Sequence, residues 1–183
     1  MSVADKIKAF VNRVAGSQPP AAPARTYLGA LKDDDDEVAL QLVQNAIRRN
    51  DPKAMAILGI MHATGRVADA NPQEAYAWLL QAAVRGVPDA MVATGICLAS
   101  GEGVTRNLPE AAYWLHRAAK QGYLFGMGML GWLCNRYPEL IGIHFSEDEL
   151  CSLLIAYAKQ REGLTPAQLA RLDQLNQLQG HAT

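Results

Sequence analysis

The chain lacks a surplus of charge of either sign: its 183 residues carry 17 Lys and Arg against 18 Asp and Glu, for a formal net charge of -1. That balance offers no basic field to a nucleic-acid backbone, and nucleic acid is not expected as a partner. Cysteine is scarce. Cys97, Cys134 and Cys151 sit singly in apolar runs, with no CxxC pair among them, which excludes a disulfide framework and a thiolate metal centre. No apolar run approaches the roughly 20 residues that cross a bilayer, so no membrane span is expected. Asp5, Lys6, Lys8 and Arg13 break every apolar run near the N-terminus before it reaches the length of a signal-peptide core. A cytoplasmic location is the expectation.

Catalytic patterns are missing too. His62, His116, His144 and His181 are scattered, without an HExxH or His-x3-His pair, and the chain has no GxSxG, no GxxxxGK[ST] and no GxGxxG between strand and helix. No catalytic, cofactor-binding or metal-binding residue is therefore expected, and the protein is not expected to be an enzyme. Residues 33–37, four aspartates and a glutamate, lack the spacing and the glycine of a calcium loop. They read instead as the cap and first turn of a helix, whose partly positive N-terminus favours carboxylates.

What is there is a repeat. Residues 51–86 are rewritten without a gap by residues 87–122, with fifteen identities at a stride of 36, among them Gly59/Gly95, Gly65/Gly101, Glu74/Glu110, Trp78/Trp114 and Gly86/Gly122. Chance would supply roughly two or three. Each copy divides into two helices. Pro52 and Pro88 suit a first helical turn, Gly65 and Gly101 stop helix A, and Asn71 and Asn107 are positioned to cap helix B, which Gly86 and Gly122 end. Gly59, Gly95 and the alanine pairs Ala82–Ala83 and Ala118–Ala119 leave room for close backbone approach, while Trp78 and Trp114 fill the wedges between hairpins. The fold class expected is an all-α solenoid of stacked helix-turn-helix units.

Moving the frame back one unit sets Leu42 on Trp78, Ala46 on Ala82 and Asn50 on Gly86, so the segment after the acidic run reads as the second helix of a worn repeat. A third, degenerate copy spans 123–160, where Met127 and Gly131 keep the stride, Tyr137-Pro138 replaces the stop glycine and Ser146-x2-Glu149 starts another helix as a capping box. A capping helix is expected over 165–178, through Leu169, Leu172 and Leu175. Residues 1–15 draw an amphipathic helix (Val3, Ile7, Phe10, Val11, Val14), and residues 16–32 form a Pro/Ala-rich linker to a solenoid over 33–180.

At Ala54-x3-Leu58-Gly59-x2-His62-x2-Gly65, at Glu74-Ala75-x2-Trp78-x3-Ala82-Ala83-x2-Gly86 and at the turn Gly101-Glu102-Gly103-Val104, the chain resembles the Sel1-like repeat family, a relative of the tetratricopeptide repeats. The resemblance implies right-handed superhelical stacking around a concave surface that holds a peptide or a folded protein domain. It places helix A on the inner wall and marks Ile60, Val92, Ile96, Phe125, Trp132 and Arg136 as partner-binding residues; the alternative is that the apolar residues of this wall are ordinary helix–helix core and the groove is polar. Trp132→Ala combined with Ile96→Asp is then expected to abolish partner capture while the fold survives. The function implied is a non-enzymatic scaffold, adaptor or regulator. One alternative is an immunity protein that neutralises a cognate bacterial toxin. Another is a β-lactam-binding or hydrolysing protein, which the absence of paired cysteines disfavours.

Overall fold

The computed structural model describes residues 26–33 and 35–161; the amphipathic segment 1–15, most of the linker and the C-terminal helix expected over 165–178 lie outside the described residues. Among the described residues there are eight α-helices and no strand, and the chain divides into two compact units at Asn107 and Leu108.

The first unit holds five helices, α1 (Tyr27–Lys32), α2 (Asp36–Arg48), α3 (Pro52–Thr64), α4 (Pro72–Val84) and α5 (Pro88–Ser100). Its punctuation follows the sequence. The Asp51 side chain accepts from the Lys53 N–H and that of Asn71 from the Gln73 N–H, each at 2.9 Å, and the proline that follows each cap sits where a missing N–H costs nothing. Gly65 and Gly101 close α3 and α5 in the left-handed region, at φ 72° and 80°. The acidic run behaves as a cap: the Asp35 carboxylate accepts from the Val38 N–H at 3.3 Å, with Asp36 and Glu37 in the first turn.

Asn50 has φ 62°, the one non-glycine residue with positive φ among those described. It takes the place that Gly86 and Gly122 hold at the ends of later helices, because asparagine tolerates this conformation better than other side chains. α2 thus ends in the same conformation as the second helices of the later repeats. One boundary needs correction. Residues 27–32, assigned to the linker, form α1, capped by Thr26 and carrying the buried Ala30 and Leu31. That short apolar element contains no proline and packs on α2, whose contact a six-residue helix needs to persist.

Two devices lean each inter-helix turn on the hairpin before it. After Gly65, Arg66 donates through Nε to Asp36 Oδ1 at 2.7 Å and through Nη2 to the Leu31 carbonyl at 3.0 Å. In the next repeat Gly103, φ 72°, lies so close to the Pro72 carbonyl that a Cβ would overlap it. Within a hairpin, Gly59 of α3 approaches α4 closely: a Cβ there would meet Leu79 Cγ at 2.8 Å and the Ala75 carbonyl at 3.0 Å.

The second unit contains α6 (Leu108–Lys120), α7 (Leu124–Arg136), a 3-10 turn at Pro138–Leu140 and α8 (Glu147–Arg161). Gly126 puts α7 against Ala118 and Ala119 of α6. Gly131, in the frame of Gly59 and Gly95, faces Leu154 of α8 as Gly59 faces Leu79 of α4. The third hairpin is therefore complete. Its helices are joined by ten residues where the first two pairs are joined by seven, and this three-residue excess is what breaks a fixed-stride alignment.

The same offset makes Glu149 the counterpart of Glu74 and Glu110. Its N–H donates to Ser146 Oγ at 3.1 Å, which is half of the expected capping box. The carboxylate turns elsewhere: Glu149 Oε1 lies 3.0 Å from Lys120 Nζ and 3.1 Å from His116 Nε2, clasping α8 to α6. The hydrogen bond from Lys120, aided by the imidazole of His116, holds the Glu149 carboxyl below its ordinary range. Its contribution to stability is then present at neutral pH and lost as pH falls through the depressed native value. Glu149→Gln is expected to lower stability at pH 7 and to flatten this acid-side loss, read from urea midpoints of both proteins between pH 7 and pH 3. Parallel profiles would remove the clasp from the account.

Candidate protein-binding surface

α7 has three faces, and the sequence sets what each can do. Gly126, Met127, Leu130, Leu133 and Cys134 are buried, and Gly126 marks this side as the one toward α6. Gly128 and Gly131 form a second face, against Tyr157 and Leu154 of α8. Phe125, Met129, Trp132 and Arg136, at helical spacing of four, three and four, form the third. Phe125 and Met129 are half-buried and Arg136 is exposed. Trp132 is 50% exposed, a large area for an indole ring on a soluble domain. Arg136 ends the stripe, its guanidinium 5.2 Å from the Tyr137 ring centre, at a helix C-terminus where a cation is favoured.

The stripe does not extend as expected to the earlier helices. Ile60, Val92 and Ile96 are at most 4% exposed, so their assignment as partner-contacting residues is corrected to core. The physical reason is legible in α3 and α5: residues 54–61 and 90–98 are buried without interruption, and a helix that is apolar all round has no side to give to water. On α7 the Gly128 position is likewise covered, by Tyr157.

The remaining polar groups of the described residues are scattered over several elements. His116 is only 6% exposed, its ring 5.0 Å from that of Phe145 and its Nε2 3.1 Å from Glu149 Oε1. His62 Nε2 lies 3.5 Å from Glu74 Oε2, while its Nδ1 is buried without a hydrogen-bond partner. Burial pushes the Cys97 thiol up to about 12 and that of Cys134 to about 11, which leaves both protonated and unreactive at neutral pH. All three cysteines are free. Among the described residues no three His, Cys, Asp or Glu side chains gather as metal ligands, and no helix is long and apolar enough to cross a membrane.

The Sel1 repeat family model matches residues 52–86 and 88–123, the frame drawn by the internal repeat. No curated protein sequence matches the chain. A Sel1 repeat protein from Oxalobacter formigenes has a similar structure, with a TM-score of 0.65 and 22% identity over 74% of this chain and 55% of its own. So does c5321, a protective antigen of uropathogenic Escherichia coli with an SLR fold, at a TM-score of 0.61 and 19% identity over 85% of this chain and 33% of its own. The chain thus spans about half the length of the first and a third of the second. At these identities the likeness establishes the fold, an all-α solenoid of helical hairpins, and nothing about partners.

Proposed function

We propose that this chain of Sel1 repeats is a non-catalytic interaction module, a cytoplasmic scaffold, adaptor or regulator, and that Phe125, Trp132 and Arg136 on α7 are its contact with a partner protein. Residues 52–123 carry the repeats, a fold typically used for protein–protein interaction. The observation that carries the reading is Trp132, half exposed on a helix whose other two faces are occupied. Tryptophan and arginine are the side chains on which binding energy concentrates, and an aromatic anchor flanked by a cation suits a partner helix or peptide with apolar residues and a terminal acid. Three free thiols suit a reducing compartment.

The test is affinity purification of the full chain beside its Trp132→Ala variant, with partners identified by mass spectrometry. Loss of a stoichiometric partner from the variant, at unchanged circular dichroism, is expected. Retention of every partner would remove α7 as the site. A single tight toxin among the lost partners would make the role that of an immunity protein, whereas several weaker clients would make it that of an adaptor.

A further inference from the structure

The connection between α7 and α8 is the place where the third hairpin departs most from its predecessors, and its extra length is not slack. Leu140 and Phe145 are buried, and Phe145 packs on His116. Gly142, at φ 91°, donates its N–H to the Phe145 carbonyl at 2.9 Å, which closes a tight turn. That turn presents Ile143, 51% exposed, at its tip. The next residue, His144, meets Tyr113 of α6 edge to face, with ring centres 5.5 Å apart. Tyr113 is itself 38% exposed.

Arg117 completes the cluster from α6, one turn beyond Tyr113. Its Cζ lies 5.7 Å from the Tyr113 ring centre and 5.1 Å from that of Trp114. Among the described residues it has no ion pair, while Lys120, the next cation along the helix, is engaged by Glu149. A guanidinium held against aromatic rings keeps its N–H edge for a planar anion and adds little ordering entropy when one arrives.

We propose that Tyr113, Arg117, Ile143 and His144 form a second docking surface, one that takes an extended acidic segment of a partner protein. A carboxylate pairs with Arg117, and a neighbouring aliphatic or aromatic side chain lies on Tyr113 and Ile143. Charge complementarity selects the acid, because the guanidinium has no ion pair among the described residues and carboxylate geometry matches its fork. The exposed apolar pair selects what stands beside it. This surface does not depend on the α7 stripe.

The experiment pans a phage-displayed library of random peptides on the immobilised full chain and measures the selected peptides, made synthetically, by fluorescence anisotropy. Enrichment of Asp or Glu beside Leu, Ile or Phe is expected. Arg117→Ala and Ile143→Ser each weaken such a peptide by about tenfold or more, the range of an interface anchor. Changing the peptide's acid to its amide costs the same factor, and that cost vanishes in the Arg117→Ala background. Trp132→Ala leaves the affinity unchanged, which separates this surface from the function proposed above. Should Arg117→Ala fail to fold, Arg117→Lys keeps the charge, loses the planar fork and is expected to weaken binding alone. Selected peptides without an acid, affinity indifferent to Arg117 and Ile143, or a loss that follows Trp132 would each overturn the proposal.

Discussion

Ile96→Asp is expected to remove a large part of the protein's stability rather than to weaken a surface contact. Ile96 is 4% exposed in the middle of α5, where every residue from Ala90 to Leu98 is buried. A carboxylate there must either remain charged without water or take up a proton at neutral pH, and the isoleucine packing is lost in both cases. Such substitutions cost on the order of 3–5 kcal/mol, against a total stability of about 5–15 kcal/mol for a domain. Urea titration followed by circular dichroism checks it, with Ile96→Val as the control expected to lose only about 1 kcal/mol. A wild-type midpoint for the aspartate variant would return Ile96 to the surface. The double substitution that pairs Ile96→Asp with Trp132→Ala therefore cannot isolate binding; Trp132→Ala alone can.

Gly103→Ala is the second large effect, and Gly65→Ala is its built-in comparison. Both glycines have φ 72°, so an alanine at either meets the same backbone penalty, about 1–2 kcal/mol. A Cβ on Gly65 has nothing within 4 Å. On Gly103 it would overlap the Pro72 carbonyl, which belongs to the first turn of α4 and cannot swing aside like the end of a side chain. The Gly103 variant is expected to lose roughly 2 kcal/mol or more beyond the Gly65 variant, in the range of strained or overpacked sites. Denaturant midpoints of the two proteins give the difference directly. Equal losses would mean that the turn does not rest on α4.

Much of this was readable beforehand, and the reasons differ by residue. Pro52, Gly65, Asn71, Gly86 and Gly101 act through their own backbone or through a bond to a residue two or three positions away, so their meaning is local. Asn50 was legible because it occupies a glycine position in the repeat frame. The assignment of Ile60, Val92 and Ile96 to an open wall failed because it came from analogy with related repeats. The warning was present in α3 and α5, which have no polar side along their buried stretches. Trp132, 50% exposed, and Arg136 reach water where those residues do not.

Other features had no local signal. His116 reads as one more residue of a polar helix until Phe145 and Glu149, some thirty positions on, close over it. Glu149 reads as half of a capping box until Lys120 and His116 claim its carboxylate. Arg117 is held in place only when the rings of Tyr113 and Trp114 stand beside its guanidinium.

The amino-acid order alone determined where helices start and stop and that they repeat at 36 residues, because caps, prolines and left-handed glycines act over one turn of chain. Which faces meet water, and which charges find partners, was decided only by packing, since burial is a property of what lies across from a side chain and not of its neighbours in sequence.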